Sequence, residues 1–211
     1  MKALLLKDFY QAKAYGKALI GLTLLFAVLG VAEPDNMFIG LYPAILCGIF
    51  PVTLLSYDER TKWDQFSATM PFTRKQIVSA KYAFQLIMLL VIELLNVSLR
   101  SVVALSRGSF YPEEILLYAL MLLIAGIPAS ALVMPLFFKL GVEKGRLFYY
   151  IVIGIICALT MGLSNSAILN TQAEMQLHWS WVLPALLICG AVLAVSWWLS
   201  VRFYEKRELG K

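Results

Sequence analysis

Long apolar runs alternate with short charged segments along almost the whole chain. The runs are apolar on every side of a helix rather than along one stripe, the pattern of a segment that faces lipid. A crossing needs about 20 mostly apolar residues, and backbone groups in hydrocarbon must bond within their own segment, so each run is predicted to be a helix. About six crossings are expected on that measure: Tyr15–Ala32, Asn36–Tyr57, Tyr82–Leu105, Ile115–Leu140, Leu147–Leu169 and Trp179–Phe203. The chain reads as one all-α membrane domain over residues 1–211.

Two stretches break the pattern. Met1–Tyr15 interleaves Lys2, Lys7 and Lys13 with Leu4, Leu5, Leu6, Phe9 and Tyr10. It predicts an interfacial helix whose apolar side chains enter the headgroup boundary while its lysines meet anionic lipid. No cleavable signal peptide is expected, because the charges are mixed into the apolar residues instead of preceding them. The second stretch, residues 58–81, mixes both signs of charge with aromatics. Thr61 followed by Asp64 predicts the cap of a short helix. Pro71 predicts a break, since the residue before a proline is pushed out of the α region. Thr73 with Gln76 fits a capping box, predicting a second helix from about Arg74 that runs on into the third crossing. From Arg74 to Leu105 such a helix is about 48 Å long, against about 30 Å of hydrocarbon, so its first turns project beyond the lipid. The short first helix would offer Trp63, Phe66 and Met70 as anchors for a partner's pocket, with the surrounding charges orienting the contact.

Charge sets the expected orientation. Of the 18 Lys and Arg residues, 16 lie on one side of the proposed bundle and only Arg100 and Arg107 lie toward the other. The basic side is predicted to be cytosolic, with both termini on it. Trp179 and Trp181 open the last run and Trp197 and Trp198 close it, about 25 Å apart along a helix, close to the separation of the two interfaces. The composition agrees: 61% of the residues are hydrophobic and 15% charged, against about half and a quarter in soluble domains. The net charge of +5 sits at the ends of apolar runs, with no basic face, so nucleic acid is not expected as a partner.

The run SYDERTKWDQFSATMPFTRKQIVSAKY, Ser56 to Tyr82, resembles the hallmark of ABC-2 type permeases, the membrane subunits of one class of ABC exporters. Its features are an acidic pair, a Lys-Trp-Asp triplet, a proline followed by Thr-Arg, and a Lys-Tyr that enters the third helix. The Leu-Leu-Lys-Asp-Phe at residues 5 to 9 is similar to the start of that family, and the six-span plan covers the whole chain. In size and plan the chain resembles the small members that lack ectodomains, which include exporters of amphipathic peptide toxins such as phenol-soluble modulins. The resemblance implies that the loop holds a coupling helix, about Thr61 to Thr69, seated in a cleft of a separate ATPase. Asp58, Glu59, Lys62, Trp63, Asp64, Phe66, Met70 and Arg74 are the candidate coupling residues. It further implies two ATPase subunits that bind ATP and Mg, a second copy of the permease, export of an amphipathic or hydrophobic substrate, and residence in a bacterial cell membrane.

Absent motifs bound the chemistry. No GxxxxGK[ST] phosphate loop occurs, so ATP would be handled by another polypeptide. The lone histidine, His178, stands beside Trp179 as an interfacial polar residue, no HExxH is present, and no enzymatic activity is expected of this chain. Cys47, Cys157 and Cys189 lie in different runs and read as small apolar packers. Glu93 is the one acid deep in an apolar run, where a charge costs at least about 2.5–3.5 kcal/mol. Asn96 and Arg100 lie near the same helix face, so the three are candidates for a polar network or a translocation path, with Asn96 bridging. Glu93 also leaves open an ion-coupled carrier that needs no ATPase, and a non-transporting scaffold or immunity protein is a third alternative. Pro43, Pro51, Pro128, Pro135 and Pro184 interrupt the spans and are candidate bends.

Overall fold

A computed structural model describes residues 2–15, 17–32, 42–44, 46–47, 50–67, 69–108, 110–144, 147 and 179–206. Its helices are α1 (Lys2–Tyr15), α2 (Lys17–Ala32), α3 (Phe50–Arg60), α4 (Trp63–Ser67), α5 (Arg74–Ser106), α6 (Pro112–Leu140) and α7 (Trp179–Lys206). No strand occurs among the described residues. Three helices are long and apolar enough to cross a membrane: α5, α6 and the Val182–Lys206 part of α7. They contain the predicted third, fourth and sixth crossings. The predicted first crossing corresponds to the 16-residue α2. The second is described only in part, and the fifth, with His178 and Cys157, lies outside the described residues.

Local chemistry sets the helix ends. Thr73 accepts from the Gln76 N–H at 3.2 Å, and the Thr73 N–H donates to Gln76 Oε1 at 3.2 Å, so the capping box closes both ways. The 33-residue α5 therefore starts where the sequence places it. Pro112 opens α6, where a missing N–H costs nothing, and Glu113 and Glu114 meet the positive end of the helix dipole. Gly141 ends α6 at a φ of 77°, a left-handed conformation that suits glycine. The helix continues through Pro128 and Pro135.

Side-chain bonds fix how the long helices lie. Ser196 Oγ donates to the Ala131 carbonyl, and Cys189 Sγ meets the Ile124 carbonyl at 3.7 Å. Both pairs are 65 residues apart, so α6 and α7 run parallel. The Tyr82 hydroxyl bonds Ser196 Oγ at 2.6 Å and Ser200 Oγ at 2.7 Å, and Trp197 Nε1 donates to Ser79 Oγ at 3.0 Å. Here α5 runs antiparallel to α7. Since the Ser196 proton goes to a carbonyl, Tyr82 donates to Ser196 and receives from Ser200, a continuous chain of bonds across three helices. Gly126 lets α6 approach α5: a Cβ there would come 2.6 Å from Leu89 Cδ1.

Two larger apolar cores follow, beside a small one of Val52, Val133, Phe137 and Val142. One joins Phe50 and Leu54 of α3, Phe84, Leu89 and Ile92 of α5, and Tyr118 and Leu122 of α6, with Ala12, Ala44 and Cys47. The other joins Leu4 of α1, Ile77 and Val78 of α5, Met134 and Phe138 of α6, and Val201 and Tyr204 of α7. The second core brings α1 and the end of α7 to the same end of the bundle, the basic end. The opposite face of α5 leaves Leu90, Val91, Leu94, Leu95 and Val102 exposed, the dress of a lipid-facing surface. In α1, Phe9, Tyr10 and Leu6 are exposed as expected of an interfacial helix, whereas Leu4 turns into the protein core.

Removing the cap is expected to cost about 1 kcal/mol. Thr73→Ala should lower the unfolding midpoint in detergent and raise hydrogen exchange in the first turn of α5, with Thr73→Ser close to wild type.

Candidate functional site

The charged segment between α3 and α5 folds as a compact hook at the basic end. Thr61 does not start α4. Its hydroxyl donates back to the carbonyls of Tyr57 at 2.9 Å and Asp58 at 3.3 Å, because α3 continues to Arg60 and leaves those carbonyls to be capped. Lys62 then turns the chain with a φ of 52°. The turn at residues 69–71 closes with Thr69 and Met70 N–H groups donating to Phe66 and Ser67, and Pro71 separates α4 from α5.

On α4, Trp63 is half-buried and Phe66 is 54% exposed, their rings 5.6 Å apart. Lys62 is exposed and Met70 half-buried. Asp64 stands in α4 between them. Beneath the hook lies a quartet of charges. Lys81 Nζ sits 2.6 Å from Asp8 Oδ1 and 2.7 Å from Asp58 Oδ2. Lys7 Nζ sits 2.6 Å from Asp58 Oδ1 and 3.4 Å from Asp8 Oδ1. Two positive and two negative charges cancel, which is what permits burial of Asp8, Asp58 and Lys81. Three helices are tied at this point: α1 through Lys7 and Asp8, α3 through Asp58, α5 through Lys81.

The two lysines differ. Burial pulls the Lys81 ammonium down, but Asp8 and Asp58 outweigh it and hold its pKa above the ordinary 10.5. Burial, then the like charge of Lys81, pulls Lys7 below its ordinary value in spite of the two aspartates. Lys7 is the more exposed member, with 24% of its side chain accessible, and its ammonium also rests 4.2 Å from the centre of the Trp63 ring. It thus links α4 to the quartet through a cation–π contact.

The remaining candidates divide by direction. Asp58 faces the quartet and not solvent. Both carboxylate oxygens of Glu59 accept from the Val142 N–H at 3.2 Å, bracing α3 against the chain just after α6. Arg74 donates to the carbonyls of Tyr204 at 3.2 Å and Glu205 at 2.5 Å, capping the end of α7. Asp58, Glu59 and Arg74 are therefore internal braces, while Lys62 and Phe66 form the outer face.

Asp8 and Lys81 were not among the candidate residues. Their signal is a charge at a core-facing helical position: Asp8 falls midway between buried Leu4 and Ala12, and Lys81 between Ile77 and Phe84. Deeper in α5, where Glu93, Asn96 and Arg100 were expected to form a bridged network, the amide nitrogen of Asn96 bridges nothing among the described residues. Glu93 and Asn96 are buried with Oε1 and Nδ2 unpartnered among the described residues. Arg100 lies 4.2 Å over the Tyr118 ring on α6, which draws it away from Asn96.

A sequence profile of ABC-2 family transporter proteins matches residues 3–205. No curated protein and no solved structure matches the chain.

The quartet should respond unequally to its two lysines. Lys81→Met removes the buried cation and leaves the partly exposed Lys7 alone against two buried carboxylates, and should cost about 3–5 kcal/mol. Lys7→Met should cost about 1 kcal/mol or less. Because the folded pKa of Lys81 lies above its unfolded value, its stabilisation is complete below pH 10.5 and is lost as pH rises through the folded value. Unfolding in detergent, followed by tryptophan fluorescence across pH, checks both statements.

Proposed function

Because the chain belongs to the ABC-2 family of transporter proteins, we propose that it is the membrane subunit of an ATP-driven exporter and that α4 is the element through which a separate ATPase moves it. The observation that carries the reading is the build of the hook. Its outer face, Lys62 and Phe66, is free of the protein core, while its inner face is clamped to three helices through Trp63, Lys7 and the charge quartet. An element that receives force needs both properties: a surface for the partner and a stiff attachment to what must move.

In this reading the basic end is cytosolic, the chain crosses a bacterial cell membrane six times, and both termini are inside. Two copies pair with two ATPase subunits, which hold ATP and Mg. Closure of the ATPases shifts α4. Asp58 passes the displacement to α3, Lys81 passes it to α5, and the helices rock as rigid bodies to switch access. The apolar bundle surface favours an amphipathic or hydrophobic cargo, peptide toxins among them. The unpartnered Glu93 favours one other reading, an ion-coupled carrier, in which flux persists without any ATPase.

The test is co-purification with the ATPase, followed by substitution on the outer face. An exposed aromatic anchor typically contributes about 2 kcal/mol to such a contact. Phe66→Ala should therefore weaken ATPase binding about 30-fold, and Lys62→Glu should weaken it further, with the melting temperature of the permease unchanged. A complex that survives both changes with full ATP-coupled flux would refute the coupling role of α4.

A further inference from the structure

Two polar groups in the middle of the bundle each bury an atom that has no hydrogen-bond partner among the described residues. Glu93 and Asn96 stand three residues apart on the buried face of α5, 5% and 1% exposed. Glu93 Oε1 and Asn96 Nδ2 find no hydrogen-bond partner among the described residues. Along the helix Glu93 is about 18 Å from Lys81 and about 21 Å from Arg107, so neither interface solvates it. The core around it contains Ala44, Cys47, Leu89, Ile92 and Leu122. The titratable groups of that core are Cys47, from the stretch before α3, and Tyr118, from α6. The next charge along α5 is Arg100, held over Tyr118.

The sequence closes off other sources of positive charge. Outside the described residues, Lys and Arg occur only as Arg146, Arg207 and Lys211, all in the segments assigned to the basic end. The predicted fifth crossing, Leu147–Leu169, contains none, and His178 stands beside Trp179 at the opposite end. A carboxyl this deep without a counter-charge is costly, and a neighbouring amide donor without an acceptor adds to the cost.

We propose that Glu93 and Asn96 form an intramembrane site for one positive charge that this chain does not itself supply, with Asn96 Nδ2 offered to an oxygen beside that charge. Two sources share the chemistry: a proton from water, or the ammonium head of an amphiphile. A proton adds to Glu93 in place, whereas an ammonium needs room between α5 and Ala44 and Cys47, which pack in the same core. The site concerns this chain alone and does not depend on α4 or on an ATPase.

The purified chain in lipid nanodiscs, treated with dicyclohexylcarbodiimide across a pH series, tests it by mass spectrometry at Glu93. The reagent modifies protonated carboxyls in apolar surroundings. Labelling of Glu93 that dodecylamine leaves unchanged identifies a proton. Labelling that dodecylamine suppresses several-fold, and dodecanol does not, identifies an ammonium. Glu93→Gln abolishes the label in either case. Leu90→Glu and Leu94→Glu, on the exposed face of the same helix, control for reagent access. If either of these is labelled while Glu93 stays unreactive at every pH, the proposal is overturned.

Discussion

Two lysines and two aspartates hold the basic end of the bundle together. Lys81 bridges Asp8 and Asp58 at 2.6 and 2.7 Å, and Lys7, closer to Asp58 than to Asp8, completes the neutral quartet. Each charge would be expensive to bury alone, and the geometry in which all four cancel is narrow. That narrowness fixes relative position: α1, α3 and α5 reach the quartet only in the register observed, because a turn of slip in any of them would strand a carboxylate. Apolar packing cannot impose this, since smooth helices in lipid slide past one another with little penalty. The quartet acts as a pin, and the hook carrying α4 hangs from it through Lys7 and Trp63.

The polar groups of the described structure sort by depth. At the basic end several charges are spent on another element: Glu59 on the chain after α6, Arg74 on the end of α7, Lys75 over Trp197 and Lys139 over Phe203, while Arg202 lies over Trp198 of its own helix. Further in, hydroxyls take over, with Tyr82, Ser196 and Ser200 joining α5 to α7. Deeper still stand Glu93 and Asn96, where the pairing stops.

Much of this was legible in the residue order because it is local. The capping box of Thr73 and Gln76, the break at Pro71 and the extent of α5 depend on neighbours within four positions. The apolar runs of α5, α6 and α7 were equally plain, since length and hydropathy suffice. Thr61 misled because two helix ends compete for it, and the C-terminus of α3 has the prior claim. Asp58, Glu59 and Arg74 read as loop charges facing a partner, yet their bonds span 51, 83 and 130 residues. No periodicity within a loop can announce a contact so distant. Arg100 was placed on the correct helix face, but an aromatic ring on α6 outcompeted the amide four residues away. Phe66 is exposed, and Asp8 escaped notice among surrounding lysines.

The bond from Arg74 to the final turn of α7 bears on how the protein is made. Arg74 is synthesised well before Tyr204 and Glu205, whose carbonyls it caps. Until Tyr204 and Glu205 are made, the base of α5 lacks that brace, and the adjoining hook is not yet in its finished setting. Formation of the end of α7 and maturation of the hook thus coincide, so a chain cut short before α7 ends differs from one that includes it at the surface the hook presents.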